Sequence, residues 1–332
     1  MAGLAPAHWR FVLAAAGALA IWSTMAATAA AQTYPTAPVK VIVPFGAGGA
    51  TDILARVFSD RLQQSFGQPF TAENRGGAAG QIAAAAVARS PADGSVLMFT
   101  TAAPITIAPL MNDKVQYDPR KDIVPIAVVA VMPVWLLVNA DSPLKTADGI
   151  FARAKDNPGK LNYGTSGVGT ELHLAAEALS RSASVQMVHV PFRGGGEVIA
   201  ALMGHQLDFA ALSTASIAGP LKQGTLRALA VSSPKRMPDF PEVPTFAEIG
   251  HASATMMPWW GLMAPAGLPQ APVARLVQEL QSISKDDAVR ERLKATFVQI
   301  DFAGPEEFAK RIEAETALYG GIIRSSNIKM GP

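Results

Sequence analysis

Short apolar, β-branched runs alternate along the chain with longer segments in which apolar residues recur every third or fourth position. That is the pattern of buried strands separated by amphipathic helices. The first run, residues 39–43, stops at Pro44 and is followed by a turn containing Gly46, Gly48 and Gly49. Ile53, Leu54, Val57, Phe58 and Leu62 then mark one face of a helix that Thr51 or Asp52 can cap. Gly67 and Pro69 end this helix. Residues 70–73 read as a second strand, 80–89 as an Ala-rich helix and 96–100 as a third strand. This βαβαβ order implies parallel pairing with right-handed crossovers. Ligands of such sheets sit beyond the C-terminal ends of the strands, which puts residues 46–52, 74–77 and 100–104 on one edge.

Residues 123–138 form a long apolar stretch interrupted by Pro125 and Pro133. Either a strand pair crossing between two lobes or one buried strand and a loop fits it. Beyond it the first half's grammar returns. A strand at 161–163 leads into the loop 164–170, and Leu172, Leu174, Ala175, Ala178 and Leu179 mark the helix that follows. A strand at 185–191, a glycine turn at 193–196, a helix at 197–203 and strands at 207–212 and 226–232 complete the unit. Residues 234–258 are proline-rich and read as an ordered surface excursion, 259–265 as a strand, and Pro272 and Pro305 as helix openers. The last helices are expected to return and cover the first unit. The expected fold class is therefore α/β: two domains, each with a Gly/Ser/Thr-rich loop feeding a helix N-terminus, facing one another across a cleft. Their bounds are residues 32–132 plus 259–332 for one and 133–258 for the other.

Composition narrows the function. The 332 residues, 49% of them hydrophobic, suffice for two cores. A net charge of +2 without a long basic run argues against nucleic acid. The absence of cysteine excludes disulfides, thiolate metal sites and cysteine nucleophiles. Residues 1–31 have the layout of an export signal, with Arg10, an apolar segment at 11–22 and Ala29-Ala30-Ala31 before Gln32. The alternative is an N-terminal anchor helix, for which the apolar core is short. A cleaved signal makes the mature protein periplasmic.

The loop at 45–52 is suited to an anion, because unpaired backbone N–H groups and the positive end of a helix dipole both favour a carboxylate or phosphate. Thr51 occupies the third glycine position of a dinucleotide fingerprint, and no Lys-Ser/Thr pair follows, which excludes a Walker loop. Ser166 lies in a Gly-Thr-Ser-Gly-Val sequence in which Val168 replaces the last glycine of a nucleophile elbow, so binding through hydroxyls and amides is favoured over catalysis. Among the histidines, His173 can point at the cleft, His189 reads as a structural residue in an apolar strand, and His205 and His251 as solvated. No metal-ligand spacing occurs, and neither metal nor cofactor is expected. Arg193, before three glycines, either meets a carboxylate or stays on the surface. Trp259 and Trp260 must face opposite ways, so at most one lines the cleft.

Taken together, the chain resembles the Bug-type extracytoplasmic solute receptors, the substrate-binding proteins of tripartite tricarboxylate transporters. The likeness lies in Tyr34-Pro35, Val43-Pro44-Phe45-Gly46-Ala47-Gly48-Gly49 with Thr51-Asp52, and Glu73-Asn74-Arg75. It continues through Ala92-Asp93-Gly94, Tyr117-Asp118-Pro119, Pro158-Gly159-Lys160-Leu161-Asn162-Tyr163, His189-Val190-Pro191-Phe192, Leu226-Arg227-Ala228-Leu229-Ala230-Val231 and residues 261–267.

The resemblance implies a type II periplasmic binding protein fold with two crossover strands. It also implies a monomer without catalytic residues that delivers a small carboxylate to integral-membrane transporter subunits. It places the ligand against Phe45, Gly46, Ala47, Gly48, Gly49, Thr51 and Asp52, and against Thr165, Ser166, Gly167, Val168, Gly169 and Thr170. Thr101, Ala102, His173, Arg193 and Ser213 complete the expected set. Three positions depart from the usual pattern: Val168 where Asn is common, Leu212-Ser213 where Asp-Asn is common, and Ala108 for an Asn before Pro109. Each loses a polar group, which disfavours an amino acid such as aspartate and favours an aromatic or less polar carboxylate. The rival functions are a ligand-sensing receptor for a signalling partner, an exported serine hydrolase using Ser166, and a dinucleotide enzyme with Glu73 at the end of its second strand.

Overall fold

The computed structural model describes residues 34–112, 114–294, 296–326 and 328, so the expected signal at residues 1–31 lies outside the described residues. β1 (Val39–Val43), α1 (Ala50–Phe66), β2 (Phe70–Asn74), α2 (Gln81–Ala88) and β3 (Val96–Thr100) follow in the expected order. β1 pairs in parallel with both β2 and β3. Alternation along β1 decides its two faces: Val39, Val41 and Val43 pack with Leu54, Phe58 and Leu62 of α1, whereas Ile42 packs with Ala83, Ala84 and Val87 of α2. Each such Leu or Phe contributes about 1.5–3 kcal/mol relative to exposure.

The broken apolar stretch resolves into β4 (Ile123–Val131) and β5 (Val134–Asn139), which belong to different sheets. The turn at Pro133 is therefore a crossing between lobes. In the second lobe come α3 (Ala147–Asp156), β6 (Asn162–Thr165), α4 (Glu171–Ser182), β7 (Val188–Pro191), α5 (Gly195–Met203), β8 (Phe209–Ser213), α6 (Thr214–Lys222) and β9 (Leu226–Val231). The chain returns through β10 (Trp259–Pro265) and ends with α7 (Gln270–Lys285), α8 (Asp287–Lys294), β11 (Gln299–Ala303) and α9 (Pro305–Ser326).

The first sheet has the order β11-β4-β10-β3-β1-β2 and the second β7-β6-β8-β5-β9. Both are mixed rather than wholly parallel. β10 runs antiparallel to β3 and β4, and β5 antiparallel to β8 and β9. The two crossings lie side by side: Met132 N–H donates to Pro258 O at 3.0 Å and Val134 N–H to Ser232 Oγ at 2.7 Å. Pro125 sits inside β4 where its pairing with β10 shifts register, as a residue without an N–H requires.

Outside the pattern expected from sequence lie the helical turns at 103–111, α3, α6, α8 and β11; of these α6 is built of small residues around an internal Pro220. Strand β7 starts at Val188, three residues later than its apolar run, because Val185 N–H is still bonded to Ser180 O in the wrap after α4. Of the last helices, α7 packs on α1 and the first sheet, whereas α9 packs on β4 and also on α4 of the second lobe. The terminal helix therefore contributes to the boundary between the lobes as well as covering the first.

Candidate functional site

The helix after β1 begins at Gly49, whose extended backbone provides the N-cap without any side-chain bond. Thr51 and Asp52 lie inside the first turn instead of capping it. Asp52 reaches back and accepts from Gly48 N–H at 3.0 Å through Oδ2, while its Oδ1 accepts from Arg56 Nε at 2.9 Å. Arg56 donates in turn to Asn74 Oδ1 at 3.0 Å, and Asn74 Nδ2 to Phe45 O at 3.0 Å. Burial raises the Asp52 pKa, but the bonds from Arg56 and Gly48 outweigh it and hold the carboxyl below its usual range. Asp52 thus shapes the loop from beneath. Thr51 Oγ1 accepts from Trp260 Nε1 at 2.9 Å, which fixes the indole as a wall of the cleft.

In the second lobe Thr170 caps α4, accepting from His173 N–H at 3.3 Å and donating to Gly167 O at 3.0 Å. Gly167 and Gly169 have φ of 127° and 73°, a region that favours glycine. His173 is turned away from the cleft. Its Nδ1 accepts from Gly169 N–H at 3.2 Å, and its ring stacks on His189 with centroids 3.9 Å apart. His189 Nε2 lies 2.7 Å from Thr165 Oγ1. Burial pushes His173 down to about 3 and His189 to about 4, so both imidazoles are neutral and brace the loop.

The lobes touch through backbone. Gly46 N–H donates to Arg193 O at 3.2 Å, and a Cβ on Gly194 would stand 3.4 Å from Gly46 O. Arg193 is exposed and offers the interface its carbonyl. The structure is accordingly a closed form, with about 30 Å³ open to the centres of water molecules between the lobes, room for one or two waters.

This cavity is lined by Phe45, Gly49, Thr51, Thr101, Ser166, Thr170 and Ser213 of the expected set. Ala47 and Gly48 are exposed on the rim, Ala102 is buried behind the wall, and Thr165, Gly167, Val168 and Gly169 form the loop without lining the cavity. Sequence reasoning missed Ala50, Glu171, Leu172, Gly194, Gly195, Leu212, Ser216, Pro258 and Trp260 as lining residues, except for leaving one tryptophan to either face. Trp259 takes the core side, donating to Glu315 at 2.7 Å. Glu171 restores a polar acceptor that the three sequence departures remove; of those, only the Leu212-Ser213 position lines the cavity.

The caps themselves carry the chemistry. Gly49, Thr170, Gly194 and Ser213 are the N-caps of α1, α4, α5 and α6, and all four line the one cavity. Four helix N-termini aimed at one point present unpaired N–H groups and four positive dipole ends, an environment that favours an anion. Among the described residues no group of three or more His, Asp or Glu is placed to hold a metal ion.

Comparison with known proteins agrees with this architecture. The family model described as Tripartite tricarboxylate transporter family receptor matches residues 54–328. Protein BugT of Bordetella pertussis is 31% identical over 96% of this chain and 98% of its own. Among solved structures, Rpa4515 of R. palustris with adipate is 30% identical at a TM-score of 0.86, covering 89% of this chain and 99% of that one. MatC from Rhodopseudomonas palustris with bound malate is 29% identical at 0.83, covering 87% and 100%.

Proposed function

The chain belongs to the tripartite tricarboxylate transporter receptor family, and we propose that it captures a small organic carboxylate between its lobes and hands it to the membrane subunits of such a transporter. This is a family of periplasmic solute-binding receptors and not of enzymes. The observation that carries the proposal is the convergence of the caps Gly49, Thr170, Gly194 and Ser213 on one cavity between the lobes, which widens to take a whole ligand as the lobes part. Backbone amides there recognise a carboxylate without a counter-charge, while Phe45, Leu172, Leu212, Pro258 and Trp260 offer apolar walls to the rest of the ligand. Adipate and malate in the two R. palustris relatives are ligands of this class. The apolar walls favour a carboxylate with a hydrocarbon body.

In this proposal residues 1–31 are a cleaved export signal and the mature protein acts as a monomer. Residues 32–132 with 259–332 form one closing lobe and 133–258 the other, a division supported by the strand membership of the two sheets. The test is a thermal-shift screen of refolded mature protein against mono-, di- and tricarboxylates, aliphatic and aromatic. A ligand at a hundredfold its Kd adds about 2.7 kcal/mol of stability. Selective stabilisation is expected; a flat response over the whole panel counts against a carboxylate ligand.

A further inference from the structure

Glu171 follows the Thr170 cap and is 3% exposed. Its Oε1 accepts from Ala102 N–H at 2.7 Å and its Oε2 from the Thr101 hydroxyl at 3.2 Å. Both donors belong to the segment after β3, in the first lobe, and both are uncharged. The titratable groups facing it across the boundary are Glu315 and Tyr319 of α9. Arg311, the nearby cation, is engaged by Glu315 at 2.9 Å and by Met257 O at 2.8 Å. On α4 itself, His173 is turned to His189, and Glu177 accepts from Tyr163 at 2.5 Å. The β8 face and residues 252–254, which also pack on α4, bring no ionisable side chain to Glu171. Among the described residues, then, Glu315 is paired with a cation and Glu171 with none.

Glu171 also lines the cavity on which the helix N-termini converge. In this closed form the cavity has room for only one or two waters, so the lobes part to admit a ligand, and a carboxylate seated among the caps takes the place of those waters beside Glu171. Two anions in contact inside a water-poor site cannot both stay ionised. We propose that Glu171 couples ligand capture to a proton: the cleft holds one negative charge, and a carboxylate ligand is bound together with a proton taken from solvent onto a Glu171 carboxylate oxygen.

One O–H bond forms at Glu171, the proton leaves a hydronium or buffer acid, and the ligand stays ionised. The protonated acid keeps one oxygen for Ala102 N–H and turns a hydroxyl donor toward the ligand. Burial foremost, with the Glu315 charge adding to it, already pushes the Glu171 pKa up to about 7 against the bonds that lower it. The proposal rests on the carboxylate-receptor reading above. By linkage, affinity falls up to about tenfold per pH unit above the Glu171 pKa of the free receptor and levels off below it.

Isothermal titration of refolded mature protein with adipate, malate and benzoate tests this, at about pH 6.5 and pH 8.5, in imidazole and in Tris. These cationic buffers differ in ionisation enthalpy and do not compete for the anion site. Proton uptake is expected to approach one at the higher pH, with Kd weaker there than at the lower pH. Glu171→Gln, which keeps both the acceptor and a donor, is expected to bind with no proton uptake and more tightly than wild type at the higher pH. Wild-type binding without proton uptake at the higher pH overturns the proposal while leaving the receptor reading intact, and needs no variant to be decisive. Retained uptake in Glu171→Gln also overturns it. No binding of any of the three acids at either pH overturns the carboxylate reading and this proposal with it.

Discussion

Gly46 and Gly194 meet across the cleft backbone to backbone: a Cβ on Gly194 would stand 3.4 Å from Gly46 O and 3.5 Å from Gly46 Cα. Gly194 has φ of −172°, an extended backbone that any residue adopts. A Cβ alone would make ordinary van der Waals contact there, so any side chain larger than a methyl meets the opposite lobe while the loop's own fold is untouched. Gly194→Leu is expected to leave unfolding stability within about 1 kcal/mol. It should also weaken carboxylate binding by at least about tenfold, about 1.4 kcal/mol. Small-angle scattering with and without saturating ligand checks the cause, since the variant should stay open in both. A variant that still closes would show that the contact is incidental.

Asp52 holds the first loop through Gly48 and Arg56. Asp52→Asn is expected to cost about 1–2 kcal/mol at neutral pH, the scale of hydrogen bonds to a charged group. The Asp52 pKa is depressed in the folded state, so the stability it contributes is fully present above the unfolded value of about 3.9. It is lost as pH falls through the folded pKa. Urea unfolding of wild type and variant at neutral and strongly acidic pH should show the two converging in acid.

The stacked pair His173 and His189 makes the second loop acid-sensitive. Both pKa values are lowered by burial, to about 3 and about 4, so the unfolded chain binds more protons than the folded one below about pH 6.5. Each imidazole then costs up to about 1.4 kcal/mol of stability per pH unit from about 6.5 downward, until its folded pKa is reached. His189→Phe, which keeps the stack on His173 and Tyr163, is expected to reduce that slope between about pH 6.5 and 4.5 by about half. An unchanged slope in denaturation experiments would place the acid sensitivity elsewhere.

Trp260 lines the cavity and donates to Thr51, whereas Trp259 is enclosed beneath α9. Carboxylate binding is therefore expected to change tryptophan emission through Trp260. Trp260→Phe should abolish that change and weaken binding through the loss of the Thr51 bond, worth about 1 kcal/mol. A fluorescence response that persists in Trp260→Phe would assign the signal to Trp135 or Trp259.

Much of this protein was legible locally. Strands and helices were visible where apolar spacing is strong, as in β1, α1, β3 and β10, because side-chain period reports directly on backbone geometry. Helix α6 was missed for the converse reason. In α6, Thr, Ala, Ser, Gly and Pro carry almost no amphipathic signal, although its Ser213 cap lines the cavity.

The sequence by itself determined the alternation of strands and helices, the two glycine-rich loops at helix starts, the absence of cysteine chemistry and the family resemblance. These depend on neighbouring residues and on backbone preferences that short segments already hold. Only the tertiary structure decided which side chains face the cleft. The Trp260–Thr51 bond joins residues 209 apart and the Glu171–Ala102 bond residues 69 apart, and no local pattern encodes either. Asp52 and His173 went beneath their loops because unpaired amides of Gly48 and Gly169 lay within reach and took them as acceptors. Glu171, an ordinary acid at a helix start by its sequence, became a buried carboxyl in the cleft because the first lobe closes over it and brings only neutral donors.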